Sequence, residues 1–308
     1  MQKRLPTIRH LRALITIAET GHFGRAAEIL NITQPSLTAQ LQEMERVLSG
    51  RLVERGRTTL GLTPLGEEVA RRARGILRDL EDLTEMAHMA NASLGGLIRL
   101  GVLPTFGPYF LPSVVPALHA AFPDLKLHIR EDRPDRLETA LREGRCDVLL
   151  TTLPATIGKT ENMVILREPL RVGVPSDHRD AAKDIVDADV LHGAHLLSLG
   201  PGHRLYDQVR AIAEEHGADL LMDYEGSSLD ALRQMVGMGM GLSIFPELYV
   251  RSEMLRETAV VAKPSAIPEM HRTVGVVWRE GAARRDAFAT FAQTCRNVVV
   301  ERFPDLVG

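Results

Sequence analysis

Between Gly21 and Gly50 the sequence leaves room for little except two short helices joined by a tight turn. Phe23 to Leu30 forms a helix with Ala26, Ala27 and Leu30 facing inward, and Asn31-Ile32 makes the connection. Thr33 is a good N-cap, and Pro35 falls in the first turn, where a missing N–H costs nothing. The helix that follows buries Leu37, Leu41, Met44 and Leu48 on one face and shows Gln34, Ser36, Thr38 and Gln42 on the other. An earlier helix, Ile8 to Thr20, carries apolar residues at 8, 11, 14, 15 and 18 and stops at Gly21. After Gly50, Arg51 to Leu62 reads as a short β-ribbon around Gly56 that carries Arg55 and Arg57. Short polar side chains at the start of the second helix of such a pair are what reads base edges in a major groove.

Charge points the same way. Residues 1–66 hold nine basic and five acidic groups, a surplus of +4 in a chain whose net charge is −3. A basic end on an otherwise acidic chain suits a polyanionic partner.

From Thr63 the period changes. Pro64 opens a helix whose apolar residues recur at Leu65, Val69, Ala73, Ile76, Leu80, Leu83, Ala87 and Ala90, in steps of three and four. That is a heptad-like seam, and its flanks are strongly charged (Glu67, Glu68, Arg71, Arg72, Arg74, Arg78). The spacing fits a dimerising helix. The bland alternative is an amphipathic helix lying on its own domain. Asn91 to Gly96 reads as a linker.

Beyond Leu97, strands alternate with helices, the pattern of a mostly parallel sheet. Strands are expected at Leu97–Leu103, Leu125–Arg130 and Cys146–Thr152, with helices at Gly107–Ala121 and Asp135–Glu143. A second set follows: strands at Leu196–Leu199, Leu221–Tyr224 and Gly241–Phe245, helices at Arg204–Glu215 and Ser228–Gly237. Strand Thr273–Trp278 and helix Ala282–Val300 close the chain. Two α/β units of similar size imply two lobes with a cleft between them. The expected fold is therefore a winged helix-turn-helix at 1–62, a linker helix at 63–93, and a two-lobed α/β domain at 94–308. Lobe I is expected at about 94–165 and 270–308, and lobe II at about 166–269.

The stretch GHFGRAAEILNITQPSLTAQLQEMERVLSGRLVERGRTTLGLTPLGEE resembles the winged helix-turn-helix of LysR-type transcriptional regulators. The helix from Thr63 resembles their dimerising linker, and the remainder their effector domain, which is similar to two-lobed periplasmic binding proteins. The resemblance implies DNA contacts from Arg9, Gln34, Pro35, Ser36, Thr38, Gln42, Arg55 and Arg57. Many members place a basic residue just after the position of Thr38; this chain has Ala39. The resemblance also implies promoter DNA as partner, a homodimer assembling to a homotetramer, RNA polymerase as a further partner, and a small effector between the lobes. Transfer to or across a membrane is not expected, and the cytoplasm is the expected location.

Within that family the segments Pro104–Pro112, Gly200–Gln208, Gly217–Asp219, Ser227–Leu229 and Arg272–Trp278 are most similar to the peroxide-sensing OxyR branch. That branch carries a reactive cysteine directly after the histidine that corresponds to His203, and a second one further along. Here those positions hold Arg204 and Ala213. A guanidinium neither attacks peroxide nor forms a disulfide, so the branch's redox switch is expected to be missing.

Thr105, Thr151, Ser198, His203, Arg204 and Ser228 fall at strand ends or helix starts, where open α/β sheets bind ligands. Helix N-termini together with an arginine suit a carboxylate or other anion. The expected effector is a small anion held partly by Arg204; the alternative is a salt bridge from Arg204 to an acid such as Asp207 or Glu225. Two further functions stay open: a thiol-based redox regulator using Cys146, and a small-molecule binding protein without specific DNA binding. Cys146 opens an apolar strand and Cys295 lies on the last helix, so both read as small buried hydrophobes.

The remaining motifs carry little. Gly237–Gly241 sits between a helix and a strand, the wrong order for a phosphate loop. His192 and His195 lack a third ligand at suitable spacing, and Met235, Met238 and Met240 line the cleft in one reading and fill the core in the safer one. No nucleophile–base constellation is present. Neither catalysis nor a metal or other cofactor is expected.

Overall fold

The computed structural model describes residues 5–55, 60–88, 94–155, 157–226 and 228–307. The chain divides into two compact units, residues 1–90 and 91–308.

In the first unit, α1 (Ile8–Thr20) starts on a reciprocal cap between Thr7 and His10 and ends on left-handed Gly21. The His22 imidazole caps α2 (Phe23–Ile29) by accepting from the N–H groups of Gly24 and Arg25. Thr33 caps α3 (Gln34–Leu48) through the Ser36 N–H at 3.4 Å. Ala26, Ala27, Leu37, Leu41 and Met44 join Leu14, Ile17 and Leu52 in one core. The ribbon pairs β1 (Val53–Arg55) antiparallel to β2 (Leu60–Leu62), with Val53 opposite Leu62; its tip at 56–59 lies outside the described residues.

The linker helix α4 spans Pro64–His88 without a break. Its apolar residues separate onto two edges. Ala70, Ala73 and partly buried Val69 and Leu77 pack into the core of the first unit. Leu65 and Ile76 are 44% and 50% exposed. The seam is therefore shared: one side lies on its own domain and the other is open. Gly66 marks the closest approach, because a Cβ there would meet the Leu52 backbone oxygen at 1.9 Å.

The second unit is built on one mixed sheet. Its elements are β3 (Gly96–Val102), α5 (Gly107–Ala121), β4 (Leu125–Glu131), α6 (Pro134–Arg142), β5 (Val148–Leu153), β6 (Thr160–Pro175), β7 (His195–Leu199), α7 (Arg204–His216), β8 (Asp219–Gly226), α8 (Leu229–Gly237), β9 (Leu242–Pro246), α9 (Glu247–Glu253), β10 (Val260–Lys263), β11 (His271–Arg279) and α10 (Arg285–Arg302). The strand order is β4-β3-β5-β11-β6-β9-β7-β8, with β10 on β6. Among the described residues no helix is long and apolar enough to cross a membrane.

The strands β4, β3, β5 and, in the other half, β8, β7, β9 pair in parallel, as the alternation requires. The mostly parallel expectation needs correction at the centre: β11 runs antiparallel to β5 and β6, and β6 runs antiparallel to β9 and β10. Sixteen-residue β6 belongs to both lobes. Ile165 and Leu166 pack in the core of the first lobe, and Leu170, Val172 and Val174 in that of the second. The strand thus changes lobes between Leu166 and Leu170.

Candidate functional site

Two sites follow from these elements. The first is the outer face of α3. Gln34, Pro35, Ser36, Ala39 and Gln42 are exposed and Thr38 half-exposed, because Leu37, Leu41 and Met44 take the inward turns. Gln34, Pro35, Thr38, Ala39 and Gln42 line an open depression on this face. Arg9 is exposed on α1. Arg55 ends β1; its side chain, and Arg57, lie outside the described residues. The helix macrodipole favours phosphate at this end of α3.

The second site lies between the lobes, where α6 of the first and α7 of the second begin. Each start is uncapped by a side chain: Arg133 is the N-cap of α6 and His203 that of α7. Arg133 reaches over Gly202, its Nη1 3.8 Å from where a Cβ on that glycine would stand. Gly202 has φ +91°, a conformation that suits only glycine. His203 is 8% exposed. Burial pushes its pKa down, Arg133 adds to this, and Asp135 opposes it. Arg204, the first residue of α7, donates from Nη2 to Glu138 Oε1 on α6 at 2.7 Å, joining the two lobes.

The six residues expected to hold an effector thus have different fates. Arg204 has an acid partner, but across the cleft rather than at Asp207; the Glu225 side chain lies outside the described residues. Thr105 is committed: its Oγ1 and its carbonyl oxygen each accept from Arg272 at 2.9 Å. Thr151 is buried within β5 opposite Gly275. Ser228 caps α8 by accepting from the Ala231 N–H at 3.2 Å. Ser198 is 4% exposed and its Oγ has no partner among the described residues. His203 shows no side-chain hydrogen bond among the described residues and stands at the cleft.

Sequence reasoning missed Arg133 and Glu138. Arg133 lies between β4 and α6, and His203 and Arg204 lie between β7 and α7, so each half places a basic group at a strand-to-helix junction. A basic residue at such a junction was the available signal. Elsewhere, Glu215, His216 and Glu269 bring ligand atoms within 4.8 Å of one another, a grouping that the reading of His192 and His195 did not reach.

Neither cysteine is joined in a disulfide and both are buried, Cys146 at 1% and Cys295 at 0% exposure. Burial pushes the Cys295 thiol far above its ordinary range.

A winged helix-turn-helix unit followed by a long helix and a two-lobed α/β unit defines an effector-controlled DNA-binding regulator. Comparison with known proteins specifies the family. Residues 8–67 match the bacterial regulatory helix-turn-helix protein model of the lysR family, and residues 91–299 match the LysR substrate binding domain. The chain is 34% identical over 289 residues, 94% of each protein, to the DNA-binding transcriptional dual regulator OxyR of Escherichia coli K12. It is 31% identical over 289 residues, 92% of this chain and 94% of the relative, to the HTH-type transcriptional regulator EstR of Acinetobacter baylyi. A full-length OxyR from Pseudomonas aeruginosa, solved as a cysteine-to-aspartate variant, superposes with a TM-score of 0.79 at 32% identity, covering 95% of both chains. The chain belongs to the LysR family and is a DNA-binding transcription regulator with an effector-binding domain.

Proposed function

We propose that this regulator reads a promoter site through the outer face of α3 and responds to a small anion held between its lobes. For DNA, Gln34, Ser36, Thr38 and Gln42 serve base edges, with Pro35 fixing the approach of the first turn; Arg9, Arg55 and Arg57 serve phosphates. The exposed edge of α4, Leu65 and Ile76, supports a homodimer through the linker helices. A homotetramer, RNA polymerase as partner and a cytoplasmic location extend the same reading.

The observation that carries the anion is the convergence of two uncapped helix starts, with Arg133 and Arg204 beside them and neutral His203 between. Aligned N–H groups and guanidinium donors stabilise negative charge, and a neutral imidazole adds a donor without repelling a cation. Of the other expected residues, Ser198 keeps an unpartnered hydroxyl among the described residues, while Thr105 and Ser228 are committed elsewhere. The anion biases the arrangement of the two lobes, and the linker helices carry that bias to the DNA. The test is a genome-fragment pull-down with the full-length protein, followed by footprinting. A discrete site whose footprint changes with a small anion supports the reading. Diffuse binding that fades at modest salt would sink it.

A further inference from the structure

Glu138 stands where a ligand carboxylate would stand. It projects from α6 of the first lobe onto Arg204 at the first position of α7 in the second, at 2.7 Å, with the two side chains 14% and 28% exposed. The contact is charge-assisted and lies at a helix start that no side chain caps. Beside it, the guanidinium of Arg133 makes no hydrogen bond or ion pair among the described residues. His203, more than nine-tenths buried, makes no side-chain hydrogen bond there either and feels both Arg133 and Asp135. One basic group of the site is therefore engaged by the protein's own carboxylate, while the other is open.

We propose that Glu138 is a tethered substitute for the effector, and that the effector is a small dicarboxylate. One carboxylate of the ligand settles on the Arg133 guanidinium. The other displaces Glu138 from Arg204 and takes the start of α7. The exchange replaces a bond between the lobes with a ligand bridge of matching charge, so the ligand-free arrangement is the one that Glu138 holds. This rests on the anionic-effector reading and adds to it the ligand class and the competitor.

Binding of oxalate, malonate, succinate and glutarate, with acetate and inorganic phosphate as controls, tests it on the full-length protein by calorimetry. Glu138→Gln keeps the shape and removes the charge. It is expected to bind the best dicarboxylate about tenfold more tightly than wild type, the change for losing one charge-assisted competitor of about 1.4 kcal/mol. Without ligand, its DNA footprint is expected to match that of the ligand-bound wild type. Arg204→Gln is expected to lose dicarboxylate binding. The exchanged pair Glu138→Arg with Arg204→Glu rebuilds the bridge and controls for folding; it is expected to melt like wild type and bind no dicarboxylate. If a dicarboxylate binds wild type, weakens with Arg133→Gln and is indifferent to Glu138→Gln, the tethered-substitute inference falls while the anion reading stands. If no anion binds either wild type or Glu138→Gln, both fall. Phosphate or acetate binding as tightly as the dicarboxylates overturns the assigned class.

Discussion

Arg272 and Glu168 are direct cross-strand partners on β11 and β6, joined Nε to Oε2 at 2.7 Å with side chains 3% and 0% exposed. Every other nitrogen and oxygen of the two groups is also engaged: Arg272 donates twice to Thr105, and Glu168 Oε1 accepts from the Leu248 N–H at 2.7 Å. The guanidinium also lies 5.9 Å from the Phe106 ring centroid. Glu168 falls in the segment where β6 passes from one lobe to the other, so this network fixes the geometry of the crossing. A buried pair held this completely is costly to break, because the survivor is left charged and dry. Glu168→Ala is expected to destabilise the effector domain by about 3–5 kcal/mol. Replacing both partners by apolar residues of similar size is expected to recover most of that loss. Urea unfolding of the full chain measures it; an unchanged midpoint for Glu168→Ala would show that the pair is dispensable.

The face of α3 makes a prediction that separates base reading from phosphate binding. Gln34→Ala and Thr38→Ala leave the core of Leu37, Leu41 and Met44 in place. Each is expected to cost about 1–3 kcal/mol at the specific site and little on random DNA. Arg9→Ala is expected to weaken both sequences alike and to reduce the salt slope by about one. Equal losses on specific and random DNA for Gln34→Ala would remove that residue from the reading face.

Peroxide is expected to leave this protein unchanged at concentrations that oxidise a reactive thiol. The thiolate is the attacking species, and burial holds Cys295 far from forming one. Cys146 is closed in by β3 and β5, its sulfur 3.2 Å from where a Cβ on Gly101 would stand. Thiol titration of the native protein is expected to be slow, with two thiols appearing on denaturation, and the DNA footprint is expected to be the same with and without peroxide. Rapid stoichiometric oxidation of Cys146 with a changed footprint would restore the thiol-sensor alternative.

The helix-turn-helix was legible because its signals are local: a cap at Thr33, a proline at Pro35 and a left-handed Asn31 in the turn. The alternating strands and helices of each lobe were legible for the same reason, since their apolar runs are short and evenly spaced. Strand β6 was not. It contains Arg167, Glu168 and Pro169, and its pairing with β11 shifts register between Val274 and Gly275, so no period of two survives along it. Glu168 reads as a loop residue until Arg272, 104 positions away, is seen to face it. The ligand site divides in the same manner. His203 and Arg204 announce themselves at a strand-to-helix junction, whereas Arg133 and Glu138 acquire meaning only when α6 of one half faces α7 of the other.

The His203 imidazole gives that site a pH signature. Burial first, and Arg133 second, depress its pKa, against Asp135. A histidine whose folded pKa lies below its unfolded value of about 6.5 stabilises the fold above that pH, and the contribution is lost as pH falls toward the folded pKa. An anion placed between Arg133 and Arg204 reverses the sign locally, since it offsets the guanidinium charge and favours the protonated ring. Binding should then take up a proton, and affinity for an anion should rise as pH is lowered from about 8 to about 6, by less than tenfold per unit. The charged groups facing the ring are Arg133, Asp135 and the adjoining Arg204–Glu138 pair; model carboxylates titrate near 4, below this window. Oxalate is a suitable probe because it remains a dianion throughout. Calorimetry in two buffers of different protonation enthalpy reads the proton uptake directly. His203→Gln is expected to bind with a flat pH profile and no uptake. An equally steep profile in His203→Gln would place the titrating group elsewhere and remove His203 from the site.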